Sequence, residues 1–137
     1  MDSDAIEIAI LLRRAQLRKQ AACEAALARW DLTLPQWGML RTIASQPDAS
    51  THALARSTGQ SDQAAGAVVA RLERWGLLQR RNVGGKAILH RLTPAGHKML
   101  SRSDKAVADV VGAALSGFTD KDVATLRTQL RQFAETL

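Results

Sequence analysis

Apolar residues recur at intervals of three and four along most of the chain, which is the spacing of an amphipathic helix. Residues 4–29 follow this spacing through Ile6, Ile10 and Leu17, and contain neither glycine nor proline. Residues 119–137 follow it as well, and their apolar stripe consists of Val123, Leu126, Leu130, Phe133 and Leu137. Both ends of the chain are therefore predicted to be helical.

The middle of the chain opens with a shorter helix, and the segment "TLPQW" encodes its start. Thr33 is placed to cap it, and Gln36 three residues later completes a capping box. Pro35 lies in the first turn, where its missing N–H costs nothing. The segment "QPD" at residues 46–48 ends the helix. Its buried face is predicted to consist of Trp37, Leu40 and Ala44.

Two further short helices follow, separated by a tight turn. Ser50 is predicted to cap the first and Ser61 the second, while Gly59 suits the left-handed conformation that ends a helix. The second helix ends at Gly76, and its apolar stripe consists of Ala65, Val68, Val69 and Leu72. Such a pair forms a helix-turn-helix, which occurs in DNA-binding domains and also as a simple packing motif.

A β-hairpin is predicted directly after this pair. The β-favouring runs "LLQRRNV" and "AILHRL" flank "GGK", which places Gly84 and Gly85 in the turn. Thr93 then caps a long helix that carries Pro94 in its first turn and ends at Gly117; its stripe consists of Val107, Val110, Val111 and Ala114. The fold class predicted is mainly α with a small β-hairpin wing, that is, a winged helix-turn-helix.

Length and composition place the chain among ordinary globular proteins. Its 137 residues are 46% hydrophobic and 23% charged, which suits a single domain with its own core. The lone Cys23 excludes an intramolecular disulfide. The first residues show no targeting signal, and no segment is long and apolar enough to span a bilayer. The sequence therefore predicts a cytoplasmic protein.

The net charge of +6 is concentrated in one part of the chain. Residues 51–100 hold eight basic side chains against Asp62 and Glu73, whereas residues 1–50 and 101–137 are each neutral. A confined basic zone predicts a surface that binds a polyanion such as DNA. A solvated basic face without a partner is the alternative that charge alone leaves open.

The order of these parts resembles the MarR (multiple antibiotic resistance regulator) family of winged-helix transcription regulators. The resemblance is carried by "LTLPQW", "LARSTGQS", "RLERWGLLQRR" and "RLTPAGHKML". It implies that residues 1–137 form a single domain in which residues 32–100 are the DNA-binding lobe. Residues 1–30 and 101–137 would form a helical dimerisation region. The implied protein is a homodimer, expected to be a repressor of a pseudo-palindromic operator and to be relieved by a small aromatic or phenolic effector.

Two segments depart from the family pattern. Family wings usually carry an Asp-x-Arg arrangement, whereas this chain has "NVGGKAI", with Lys86 as the nearest cation. The outward face of the second helix of the pair is also unusually bare, and consists of Asp62, Gln63, Ala64, Gly66, Ala67 and Ala70. A smooth face lets a helix approach the groove floor closely but offers few hydrogen bonds to bases. We therefore expect affinity to come from phosphate contacts, and specificity partly from DNA shape.

The expected DNA contacts divide into two groups. Those to bases are Gln63, whose amide can pair with adenine, and the methyl groups of Ala64 and Ala67. Those to the sugar-phosphate backbone are Arg56, Ser61, Arg71, Arg74, Arg80, Arg81, Lys86 and His90. Asp62 is expected to serve the N-terminus of its helix, where a carboxylate is favoured.

Other kinds of site receive little support from the sequence. Trp30 and Trp37 bracket the junction where the family's effector pocket would lie, although tryptophans there also serve as core residues. Cys23 lies among alanines in a chain without tyrosine, which argues against the tyrosine-paired peroxide sensing seen in one branch of the family. The three histidines lack metal-ligand spacing, and no nucleophile–base pair can be assembled. No metal, cofactor or enzymatic activity is therefore expected.

Two alternatives remain open from the sequence. The bare helix would also suit a regulator-like module that has lost operator recognition and binds another protein. It would equally suit a basic DNA-binding protein with little sequence preference.

Overall fold

The fold consists of six helices and one two-stranded antiparallel sheet over the part of the chain that is described. The computed structural model describes residues 1–85 and 87–137, without the side chains of Val83 and Ala87. The helices are α1 (Asp2–Leu27), α2 (Leu34–Ser45), α3 (Thr51–Thr58), α4 (Asp62–Arg74), α5 (Pro94–Ala114) and α6 (Asp120–Thr136). A short 3-10 helix (Ala28–Trp30) follows α1, and the strands are β1 (Leu78–Val83) and β2 (Ala87–Leu92). The winged helix-turn-helix predicted from the sequence is confirmed.

The helix starts are fixed by the capping residues that the sequence predicts. The Thr33 hydroxyl accepts the Gln36 N–H at 3.3 Å, and the Gln36 side chain accepts the Thr33 N–H at 2.9 Å. The side chains of Ser50, Ser61, Thr93 and Thr119 each accept the backbone N–H three residues on, and Thr119 also forms a capping box with Asp122. Because each cap satisfies a backbone N–H that a helix start would leave unpaired, these short polar residues fix the boundaries.

The turn between α3 and α4 is as short as the sequence predicts. Gly59 adopts a φ of +67°, in the left-handed region that favours glycine, and ends α3. Ser61 then caps α4. The hairpin turn likewise places Gly84 and Gly85 at φ values of +70° and +90°. The strands pair in register, Leu78 opposite Leu92 and Val83 opposite Ala87.

The buried face of α2 differs from the predicted one. The buried residues are Gln36, Met39, Leu40 and Ile43, while Trp37 and Ala44 are only partly buried. Gln36 is buried because its side chain closes the capping box. The core of the lobe continues through Leu54 of α3 and Leu72 of α4, which are both fully buried. It extends to Leu78 at the base of the hairpin.

The terminal helices expose much of their apolar surface. Within the described chain no residue of α6 is buried, although its apolar residues follow a helical stripe. Phe133 is 42% exposed and Leu130 is 45% exposed. On α1, Ile6 and Ile10 are more than half exposed. Among the described residues, no helix is long and apolar enough to cross a membrane.

Candidate nucleic-acid interface

The exposed face of α4 is the smooth surface that the sequence indicates. Gln63, Ala64 and Ala67 are exposed, while Ala65, Val69 and Leu72 on the opposite side are buried in the core. The spacing of a helix places Gln63, Ala67, Ala70 and Arg74 in one row along the outer side. The exposed face of α4 therefore presents one amide at its start, methyl groups along its middle and a guanidinium at its end.

The N-terminus of α4 is joined to α3 by a side-chain pair that the sequence analysis missed. His52 Nδ1 lies 2.9 Å from Oδ1 and 3.1 Å from Oδ2 of Asp62. Asp62 occupies the first turn of α4, as expected for a carboxylate that stabilises a helix start. Ser61 caps the same end, since its hydroxyl accepts the Ala64 N–H at 3.1 Å. The N-terminus of α4 is therefore held by two separate polar contacts.

The arginines around α4 have different surroundings. Arg71 and Arg74 are exposed in its last turn, and the Arg71 guanidinium lies 5.9 Å from the centre of the Trp75 ring. Arg56 is exposed on α3. Arg80 lies 3.8 Å from Glu73, at the end of α4, and is therefore partly neutralised.

Arg80 and Arg81 project from opposite faces of the hairpin because successive strand residues alternate. Arg80 pairs in register with the buried His90, and Arg81 with Leu89. Arg81 is exposed, and its charge contributes to lowering the pKa of Asp48 on the loop between α2 and α3. The two neighbouring arginines therefore lie on different surfaces of the hairpin. A count of charges in the sequence does not show this difference.

The expectation that His90 contacts a phosphate is wrong for this structure. Its side chain is fully buried, with Nδ1 at 2.8 Å from the Ala49 carbonyl oxygen and Nε2 at 3.4 Å from the Thr51 hydroxyl. Strand alternation places His90 on the same side of the hairpin as Leu92, toward the core. Lys86, the predicted contact at the hairpin turn, lies outside the described residues.

Arg91, which the sequence counts among the basic residues of the zone, is paired within the protein. Its Nε and Nη2 atoms donate to the two carboxylate oxygens of Asp48 at 2.7 and 2.6 Å. The hydrogen bond from Arg91 lowers the pKa of Asp48, and the same contact raises the pKa of Arg91. Both groups therefore stay ionised throughout the neutral range.

The two tryptophans proposed for an effector pocket border different cavities. Trp37 lines a cavity of about 510 Å³ between α1, α2 and the α3–α4 turn, where Lys19 is the one charged lining residue among those described. Its indole N–H donates to Asp104 at 2.9 Å. Trp30 lines a cavity of about 570 Å³, whose charged residues are Arg29, Arg102, Lys105 and Asp109. The Arg29 guanidinium lies 4.0 Å from the centre of the Trp30 ring.

The other groups considered from the sequence lie apart from these surfaces. Cys23 is fully buried near the end of α1. Over the ranges that the structure describes, no three His, Cys, Asp or Glu side chains come together as a metal site would require.

A family model and a large set of solved structures are similar to this chain. The model of the MarR family matches residues 30–87, which include the helix-turn-helix and most of the hairpin. No curated protein sequence matches the chain.

Solved structures match over nearly the whole chain. A MarR family protein of Mycobacterium tuberculosis, crystallised with DNA, is 25% identical with a TM-score of 0.80, covering 91% of this chain and 95% of that one. A probable transcriptional regulator from Pseudomonas aeruginosa is 28% identical with a TM-score of 0.79, covering 92% and 96%. A MarR family regulator from Rhodococcus sp. RHA1 is 22% identical with a TM-score of 0.88, covering 97% and 96%, and shows the shared fold.

Proposed function

We propose that the chain is a homodimeric, DNA-binding repressor of the MarR family, whose model matches residues 30–87 and whose members are transcriptional regulators and not enzymes. The observation that carries this proposal is the exposed face of α4, with arginines at its exit and on the adjoining hairpin. The Mycobacterium tuberculosis relative that was crystallised with DNA supports the same role. A protein whose target is genomic DNA would act in the cytoplasm.

The proposed DNA contacts divide between the helix and its basic surroundings. Gln63, Ala64 and Ala67 would face the base edges, because they form the exposed entry and middle of α4. The proposed phosphate contacts are Arg56, Ser61, Arg71, Arg74, Arg80 and Arg81. Because Arg80 forms an ion pair with Glu73, we expect it to contribute less to phosphate binding than Arg81 does. Most of these contacts are to phosphates, so they contribute more to affinity than to sequence specificity.

Replacing Arg81 by alanine is expected to weaken binding to every DNA sequence alike. If the guanidinium contacts a phosphate, losing it reduces the number of released counterions. The log–log dependence of affinity on salt should then become shallower by about one unit per half-site. Fluorescence anisotropy across a salt series measures this slope. An unchanged affinity and slope would place Arg81 outside the interface.

Replacing Gln63 by alanine is expected to have the complementary effect. An amide that pairs with an adenine edge contributes discrimination of roughly 1–3 kcal/mol per half-site. Preference for the operator should therefore fall by that amount while binding to random DNA stays nearly constant. The same anisotropy assay measures both values. An equal loss on both DNAs would identify Gln63 as a backbone contact.

A second copy of the chain is the proposed cover for the exposed terminal helices. An apolar groove of about 560 Å³ lies between α1, α5 and α6; its apolar lining is Leu12, Ala15, Ala22, Val110, Val111, Ala114 and Leu130. Together with the exposed Ile6, Ile10 and Phe133, this groove is apolar surface of the kind that marks an interaction site. We assign residues 1–30 and 101–137 to dimerisation and residues 32–100 to the DNA-binding lobe. Two lobes related by a two-fold axis match a pseudo-palindromic operator.

Relief of binding by a small aromatic acid is the proposed regulation. The Mycobacterium tuberculosis relative has been crystallised with salicylic acid and with p-aminosalicylic acid. In this chain the Trp30 cavity suits an anion better than the Trp37 cavity. Arg29, Arg102 and Lys105 line the Trp30 cavity, and Asp109 there lies 3.2 Å from Lys105. The Trp37 N–H, by contrast, is already bonded to a carboxylate.

Salicylate is expected to quench tryptophan fluorescence saturably and to weaken DNA binding over the same concentration range. Linkage requires DNA to weaken salicylate binding by the same factor. Trp30→Phe should abolish most of the quenching, and Trp37→Phe, the matched control, should retain it. Quenching without any change in DNA affinity would leave a binding site that regulates nothing.

A DNA-binding protein of low sequence specificity is the second candidate function. The observation that favours it is the row of methyl groups along α4, where only Gln63 offers an amide to the bases. Competition between specific and unrelated DNA distinguishes it from the repressor.

A further inference from the structure

The hairpin is joined to the loop between α2 and α3 by both backbone and side-chain contacts. The Asp48 N–H donates to the His90 carbonyl oxygen at 3.0 Å, and Ala49 forms a β-bridge with His90. Next to this bridge, Arg91 donates its two hydrogen bonds to Asp48 at 2.7 and 2.6 Å. The loop therefore acts as a short third strand along the base of the hairpin.

Asp48 holds an uncommon backbone conformation at this junction. Its φ is +67°, in the left-handed region where non-glycine residues are rare and aspartate and asparagine are enriched. Such a conformation persists only where the surroundings determine it. Here the hydrogen bond from the Asp48 N–H and the ion pair of its carboxylate hold Asp48 in this conformation.

We propose that Asp48 and Arg91 form a wing latch that fixes the position of the hairpin relative to α4, so that Arg91 supports DNA binding without contacting phosphate. The inference rests on the proposed DNA-binding function. Two of the guanidinium N–H groups are already engaged by a carboxylate, and the pair is close to neutral as a unit. Arg91 therefore has little charge to offer the counterion exchange that drives phosphate binding.

The latch lies at the base of the hairpin, where a small change has a large effect on the position of the turn. Arg91 pairs with Gln79, one residue beyond the first pair of the sheet, whereas the turn at Gly84 and Gly85 is at the far end. A small rotation at the base becomes a larger displacement at the turn. The acid–arginine pair therefore acts at the base of the hairpin, where it can fix the direction of both strands.

Arg81→Ala is a matched comparison for Arg91→Ala. Both arginines lie on the same face of the hairpin, because Arg81 and Gln79 are two residues apart and Gln79 is opposite Arg91. Both substitutions remove one positive charge from a neighbouring position. The latch predicts opposite patterns: Arg91→Ala lowers DNA affinity with an unchanged salt slope, and Arg81→Ala makes the slope shallower.

Amide hydrogen exchange of the full-length protein without DNA tests the latch directly. In Arg91→Ala, exchange of the Asp48 amide and the hairpin amides should accelerate by about twofold to fivefold, because an exposed ion pair contributes modestly. Asp48→Asn keeps a residue that tolerates the left-handed region and should give the same acceleration. The double variant should add little to either single one. Arg91→Lys, with a single ammonium, should lie between, and Arg81→Ala, which removes only a weaker charge interaction with Asp48, should accelerate exchange less than Arg91→Ala.

Two results would overturn the latch. One is unchanged exchange in both Arg91→Ala and Asp48→Asn; the other is a salt slope that becomes shallower in Arg91→Ala as it does in Arg81→Ala. Should the wild-type protein bind no DNA at all, the proposed function fails, while the exchange measurements still decide whether the latch exists.

Discussion

Removing the residues after Gly117 is expected to convert a stable dimer into a monomer or an aggregate. The deletion takes away α6, whose apolar stripe lies exposed in the isolated chain, with Phe133 42% exposed and Leu130 45% exposed. It also uncovers the rest of the apolar groove beside Val110 and Val111. Exposed apolar surface of this kind marks an interaction site, so we expect a second copy to cover it in the intact protein.

Sedimentation equilibrium at micromolar concentration measures this outcome. The full-length chain should show twice the chain mass of 14.8 kDa, and the deleted chain should not. Leu130→Asp is a milder variant that keeps α6 and places a charge in the groove, and it should shift the equilibrium toward monomer. A full-length protein that remains a well-folded monomer contradicts the proposed assembly.

Replacing Gly96 by alanine is expected to destabilise the lobe by about 3 kcal/mol. Gly96 lies in the first turn of α5, and an added Cβ would overlap the Leu77 carbonyl oxygen and approach the Leu92 Cβ at 3.3 Å. That carbonyl is fixed, since it accepts the Thr93 N–H at 3.1 Å. The backbone of the hairpin or of α5 would have to shift to admit the methyl group.

Gly38→Ala is the matched control for this substitution. Gly38 lies inside α2, where an added Cβ meets nothing within 4 Å. Because alanine is the better helix former, this variant should be more stable than the wild type by up to about 1 kcal/mol. Urea unfolding at a fixed protein concentration compares the three proteins. Equal stability of Gly96→Ala and the wild type would show that the contact between Gly96 and the hairpin is easily relaxed.

Local sequence signals predict the elements of this fold well. Thr33, Ser61 and Thr93 mark helix starts because their hydroxyls accept backbone N–H groups within three residues. Gly59 marks a helix end because it alone in its segment adopts a left-handed conformation at no steric cost. The buried face of α2 was harder to place, since its aromatic Trp37 lies at the edge and its polar Gln36 lies inside.

Side-chain partners distant in sequence account for what could not be predicted at the candidate interface. Asp48 and Arg91 are 43 residues apart, and Trp37 and Asp104 are 67 apart. No local pattern brings such residues together, so a charge count treats Arg91 as free. His90 is different, because the alternation of β2 offered a signal: it shares a face with the apolar Leu92, which is partly buried against the core.

Competition between DNA from the region upstream of the chain's own coding sequence and unrelated DNA of equal length tests the central claim most directly. Fluorescence anisotropy with a labelled upstream fragment, at one fixed salt concentration, measures how much of each unlabelled DNA displaces the protein. If the protein is a sequence-specific regulator, upstream DNA should compete about 10³-fold more effectively than unrelated DNA. This value is at the lower end of the range for specific binding, because α4 offers few side chains that can form hydrogen bonds with bases. Equal competition would reduce the protein to a DNA binder of low specificity, and an absence of binding to either DNA would contradict the account altogether.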